Sequence, residues 1–271
     1  MKSERLITIL EEAAPPALAA SWDNCGVQVA GQARDITRLA VTLDPRPAAL
    51  AACLEFGAQF ILTHHPLYLS PQAPKAEGDY LDVLRLVIRA GAWLYAAHTS
   101  LDAAPDGPAF WLGRELGLAG SRTLEPCPGF EAQAREGQRV PGFGEVGELP
   151  EPLPVAEFAR TLTALTGRRV IQVIGPRPER VRTVAYCGGS GGGLIPLAAS
   201  LGADAFVTGD VKYHQALEAR TLVFDVGHFS LEEEMVRRLA LDLSGRLAPQ
   251  GVEVRFFPGL DPYEAYPGAP A

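Results

Sequence analysis

Five histidines occur in 271 residues, and four of them stand where they could do metal chemistry. His64 and His65 are neighbours, followed at once by Pro66. His98 opens the stretch His-Thr-Ser-Leu-Asp, which closes on Asp102, and His228 opens His-Phe-Ser-Leu-Glu, which closes on Glu232. Imidazole and carboxylate donors together suit zinc, manganese or ferrous iron better than calcium, which prefers an all-oxygen shell. Two or three histidines with two acids can hold two divalent ions, a carboxylate bridging them. Two ions roughly 3.5–4 Å apart polarise a substrate oxygen and acidify a water.

Each element alone has a plainer reading. Neighbouring residues on a strand point to opposite faces, so a His-His pair is usually incidental. Here Pro66 breaks the pleat, and both rings can turn the same way. An acid four residues after a histidine is often only a pair on a helix surface, and His98 fits a role beside the metals as well as on them. His214, in Lys-Tyr-His-Gln at a helix start, reads as a surface residue. The weight comes from placement, which depends on the elements around these residues.

Apolar runs at 38–44, 59–65 and 93–99 read as strands, separated by helical patterns at 47–58 and 80–92. The order returns later, with strands at 182–189, 204–210 and 221–228 and helices at 194–203 and 213–219. Shifted by 145 positions, Gly57-Ala58 falls on Gly202-Ala203 and Thr63 on Thr208, and the His-x-Ser-Leu-acid echo follows at a shift of 130. The reading is α/β: two related lobes, each a mostly parallel sheet flanked by helices, with a metal cleft between them. The lobes are set at 1–125 and 126–271, the second including a Gly- and Pro-rich junction, a helix at 155–167 and a strand at 168–175. The stretch at 261–271 reads as a loose tail. Parallel sheets gather ligands at the carboxyl ends of their strands, and four of the five histidines fall at such ends.

The net charge of −8 argues against generic attraction to nucleic acid or an anionic membrane. Cys25, Cys53, Cys127 and Cys187 form no C-x-x-C pair, which fits reduced thiols in a cytoplasmic protein. The opening Met-Lys-Ser-Glu-Arg carries charge where a secretion signal needs an apolar run, and no apolar stretch reaches the ~18 residues of a membrane span.

Two polar loops are candidates for substrate contact. Cys-Gly-Gly-Ser-Gly-Gly-Gly at 187–193 lies between a strand and a helix, where backbone N–H groups of Gly189, Ser190 and Gly191 could cradle a phosphate, although no Gly-Lys-Ser/Thr follows as in a P-loop. Asp23 and Asn24, after Trp22, form either an Asx-type turn or a wall of the cleft.

The motifs "WDNCGVQVAG", "LTHHPLYL", "HTSLD", "CGGSGGG", "VTGDVKYHQALEA" and "DVGHFSLE" occur in that order. Together they resemble the NIF-three-like, or YbgI-like, dinuclear metal proteins, often labelled GTP cyclohydrolase 1 type 2 homologues. The resemblance implies two similar α/β lobes around two divalent metal ions, with His64, His65, Asp102, His228 and Glu232 as ligands and His98 as the acid–base group beside them. It implies a homohexameric ring and a metal-dependent hydrolase that opens the imidazole ring of GTP, with water attacking C8 and a histidine managing protons. Asp210 stands where many relatives have Glu. Fold does not fix function, so two alternatives stay open. One is a non-catalytic metal-binding or regulatory ring; the other is a metal-dependent phosphoesterase.

Overall fold

The structure is a computed structural model and describes residues 1–133 and 137–266. The chain opens with α1 (Ser3–Ala13), whose Leu6, Ile9 and Leu10 share one buried face. There follow β1 (Gly26–Val29), β2 (Arg38–Thr42), α2 (Pro47–Glu55), β3 (Phe60–Thr63), α3 (Asp79–Ala90), β4 (Trp93–Ala96) and the short α4 (Thr99–Asp102) and α5 (Trp111–Glu115). The second half runs β5 (Ala119–Pro126), β6 (Gly142–Pro154), α6 (Val155–Thr166), β7 (Gln172–Ile174), β8 (Arg180–Tyr186), α7 (Ile195–Ser200), β9 (Ala205–Thr208), α8 (Tyr213–Glu218), β10 (Leu222–Asp225), α9 (His228–Leu247) and β11 (Glu253–Phe256).

Two sheets result, and their centres are copies. The first contains the order β1-β4-β3-β2 and the second β7-β10-β9-β8, so β7 to β10 repeat β1 to β4 place for place. In each, three parallel strands end in an antiparallel edge strand. The repeat seen in the sequence is therefore a repeat of topology.

Every residue of β3 and β9 is buried, as a strand covered on both faces requires. Phe60 and Leu62 of β3 meet Ala205 and Val207 of β9 in one core shared by both sheets, while Ile61 and Phe206 face separate outer cores under α2 and α3 and under α7. Leu231, Met235, Val236 and Leu243 of α9 lie in the shared core. Each such side chain contributes about 1.5–3 kcal/mol by leaving water. The helix that begins with His228 and Glu232 is thus fixed between the sheets.

The division at 125/126 needs correction. It cuts through β5, which pairs with β6 in the second sheet, and β11 returns to the first sheet, parallel to β2 with Val254 opposite Leu39. The Pro-rich junction ends in β6. Its Pro150 and Pro152 fall where the register with β8 shifts between Glu148 and Leu153, an interval that needs no ladder donors. The strand anticipated at 168–175 shortens to β7. In the anticipated tail, Asp261 is ion-paired to Arg168, and residues 267–271 lie outside the described residues.

Candidate metal centre

Past the end of β3, the amides of His64 and His65 both donate to the Leu43 carbonyl, at 3.2 and 3.0 Å. Thr63 Oγ1 donates to the His65 carbonyl at 2.8 Å. These bonds break the strand alternation, and the two rings come together at 5.1 Å between centroids. His98 follows β4, 5.1 Å from His64 and 5.4 Å from His65. His228 begins α9, 5.5 Å from His65. Four histidines from three strand ends and both sheets form one cluster.

The same device orients each ring. Nδ1 of His64 meets the Ala97 carbonyl, Nδ1 of His65 meets Asp44, Nδ1 of His98 meets Asp23, and Nδ1 of His228 meets Asp210, all at 2.8 Å. A carbonyl only accepts, so His64 donates from Nδ1 and turns Nε2 toward the acids. Acceptors placed behind a ring in this way fix its tautomer and are the usual support of metal-ligating histidine.

The acids complete the set. Glu232, one turn into α9, puts Oε2 2.7 Å from His228 Nε2 and 3.0 Å from His65 Nε2. Asp102, at the end of α4, puts Oδ1 3.7 Å from His64 Nε2, and Glu232 Oε1 lies at the same distance on another side. His64 Nε2 is buried and has no hydrogen-bond partner, a costly arrangement unless something fills it. Donor atoms of His64, His65 and His98 lie within 4.8 Å of one another, as do those of His65, His228 and Glu232. Imidazole and carboxylate groups in two such triplets, sharing His65, could hold metal. His98 is a member of the first triplet.

The electrostatics describe a site short of cations. Burial lowers the His65 pKa, but hydrogen bonds to Asp44 and Glu232 outweigh it and push it up to about 10. Burial opposes the same rise in His228, which Glu232 and Asp210 carry to about 9. His98 goes the other way: burial and the neighbouring His64 lower it and hold the ring neutral despite Asp23. Burial pushes the Asp102 carboxyl up, against the pull of His64. Glu232, which burial alone would raise, is held well below the usual range by His64, His228 and His65.

The loops differ from their sequence reading. Asp23 has no exposed side-chain surface and so cannot meet substrate. It holds His98 and accepts from the Thr99 amide at 3.0 Å, from the Thr99 hydroxyl and from Cys25 Sγ at 3.1 Å. Asn24 spends its amide on Gln28 and the Tyr68 carbonyl. In the glycine-rich loop, Gly191 N–H is committed to Thr208 Oγ1 at 2.9 Å. Gly189 lies flush against Glu232, where a Cβ would come within 2.3 Å of Oε1. The helix that follows has only six residues. This loop lets the backbone approach Glu232, and Ser190 and Gly193 are its exposed members. His214 is exposed, as its sequence setting suggests.

Asp44 was not anticipated, although it ends the strand run at 38–44 beside the His-His strand, where the strand-end rule points. Asp210 has φ 55, and among the described residues it is the one non-glycine with positive φ. Asp tolerates that region better than most residues, and there it reaches His228.

Residues 1–262 match the DUF34/NIF3 (NGG1p interacting factor 3) family, and the chain belongs to it. The GTP cyclohydrolase 1 type 2 homolog of Streptomyces coelicolor is 34% identical over 234 residues, 84% of this chain and 80% of its own. That of Clostridium perfringens is 28% identical, covering 97% of this chain and 99% of its own. A Bacillus cereus protein related to NIF3 superposes with a TM-score of 0.85 at 22% identity, over 98% of this chain and 99% of its own, and so shares the fold. Among the described residues no helix is long and apolar enough to cross a membrane.

Proposed function

We propose that the chain is a dinuclear metal-dependent hydrolase, with His64, His65, Asp102, His228 and Glu232 as the residues that would hold two divalent ions and His98 beside them. The observation that carries this is the four-fold clamp on Nδ1, which leaves His64 Nε2 buried and without a hydrogen-bond partner beside Glu232 and Asp102. When bound, such ions supply Lewis acidity and an acidified water. The chain's own part is orientation and proton handling. Glu232 faces three rings and would help to hold the ions. His98, neutral and backed by Asp23, has Nε2 as its available atom and serves as the proton acceptor. Trp22, 60% exposed and edge-on to His98 at 5.9 Å, marks the open side of the cluster.

The names of the bacterial relatives support hydrolytic ring opening of GTP as the reaction to test first. The test is formate release from GTP by zinc-, manganese- or iron-loaded protein, with metal content read on the same samples and His65→Ala as control. Turnover in the wild type, lost with the metals in the variant, is the expected result. Two ions per chain without turnover on GTP or a panel of nucleotides and phosphoesters would end the hydrolase reading. It would favour a metal-dependent interaction protein, in line with the family's description as an interacting factor.

A further inference from the structure

Beside the cluster lies a cavity of ≈960 Å³. It shares two wall residues with the metal centre: Asp210, which fixes His228, and Gly227, which precedes it. Arg168, Arg169 and Lys212 line it as well, Lys212 being one of three lysines in the chain. A Cβ on Gly227 would lie 2.3 Å from the Arg168 guanidinium, so that arginine packs directly against the start of α9.

Three basic residues line this cavity with four acids, and three of the acids are already engaged. Asp225 accepts from the amides of Val211 and Gly227, both at 2.9 Å. Asp210 is committed to His228, and Asp261 to Arg168. Among the described residues, Arg169 and Lys212 carry no ion pair, and Glu264 is the one lining acid without a partner. The Asp261 carboxylate seated on Arg168 shows that this wall already receives an anion. Ser190 joins the two regions: it lines the cavity, and its neighbour Gly189 touches Glu232.

We infer that this cavity is an anion subsite in which Arg169 and Lys212, with the Ser190 hydroxyl, hold the phosphate of a phosphorylated substrate whose reacting end reaches the metal cluster. The inference rests on the reading of the cluster as a hydrolytic metal centre. Guanidinium and ammonium groups are the usual partners of phosphate, the first through paired N–H donors and the second as a point charge. A phosphate here would be held against the second sheet, while the cluster draws its other ligands from the first.

The probe is inorganic phosphate, titrated by calorimetry into metal-replete protein, with metal content measured on the same samples. In Arg169→Gln/Lys212→Gln the affinity is expected to fall about tenfold or more, one charge-assisted contact being worth about that factor, with metal content unchanged. Both residues are exposed, and an unchanged melting temperature checks the fold. Glu264→Gln is expected to tighten phosphate binding. Equal affinity in the wild type and the double variant, metals retained, would overturn the subsite and leave the metal centre standing. So would a wild type that binds no phosphate. A wild type without metal whose phosphate binding still depends on Arg169 and Lys212 would sink the metal reading and keep the subsite.

Discussion

Gly189 and Glu232 touch: a methyl group at position 189 would lie 2.3 Å from the Glu232 carboxylate, and Gly189 has φ +61. The glycine-rich loop of the second lobe therefore sets the position of the acid that faces three histidines. Gly189→Ala must both strain the backbone and push Glu232 away from His65 and His228. We expect a stability loss of about 1–3 kcal/mol and loss of bound metal through gel filtration. A variant that retains its metals would show that the loop does not position Glu232.

The clamps behind the rings make a second prediction. Asp44 lies 2.8 Å from His65 Nδ1, and replacing it with Asn keeps the shape while removing the charge. Groups placed behind metal-ligating histidines typically control 10–100-fold in metal affinity. Asp44→Asn is expected to fall in that range in a competition titration with a chromophoric chelator, and to lower the melting temperature of the metal-free protein at pH 6, where the His65–Asp44 pair is fully formed. An affinity equal to wild type would mean that His65 is not a ligand.

Much of this site could be read from the sequence because local order dictates it. Strand-helix-strand periodicity placed His64, His65, His98 and His228 at strand ends, and the echo of His98/Asp102 in His228/Glu232 pointed to a repeat now seen as β4–α4 and β10–α9. What stayed hidden depends on long-range pairing. β1 and β11 are four-residue edge strands, and nothing local says that β11 will cross back to β2. The clamps were hidden for the same reason. Asp23 meets His98 across 75 positions and Asp44 meets His65 across 21, distances at which spacing carries no signal. The glycine-rich loop stayed ambiguous in the sequence because glycine serves equally for phosphate binding and for close packing; the contact of Gly189 with Glu232 is visible only in the structure.

The raised histidines predict a pH dependence with a definite sign. In the metal-free fold His65 titrates at about 10 and His228 at about 9, against an ordinary value of 6.5. Their stabilisation is complete below pH 6.5 and is lost as pH rises through 9 and then 10. On this account the metal-free protein melts at falling temperature between pH 7 and 10. Metal must displace the same protons, so apparent metal affinity rises over that window and binding releases protons into weakly buffered solution. Thermal melts of stripped and loaded protein at pH 6.5, 8 and 9.5 check both parts. A stripped protein whose melting temperature rises with pH would mean that these rings are not protonated in the fold.

Away from the metal centre, an ion pair inside the β5–β6 hairpin packs against α5. Glu145 of β6 has no exposed side-chain surface and meets Arg139 at 2.7 Å. Its Oε1 has no hydrogen-bond partner, and it presses on Gly113 of α5, where a Cβ would lie 2.0 Å away. Burial raises the Glu145 pKa against the pull of Arg139, so the carboxylate depends on that arginine. Removing only the arginine strands a buried charge, which costs about 3–5 kcal/mol, whereas replacing both partners by apolar groups is often close to neutral. Arg139→Met is expected to lower stability by that amount in urea unfolding, more so at pH 8 than at pH 5, where Glu145 can take up a proton. Arg139→Met/Glu145→Met is expected to recover most of the loss, and both variants to keep wild-type metal content. If the double variant were no more stable than the single, the pair would not act as a unit, and the energy of the β6–α5 contact would lie in packing around Gly113.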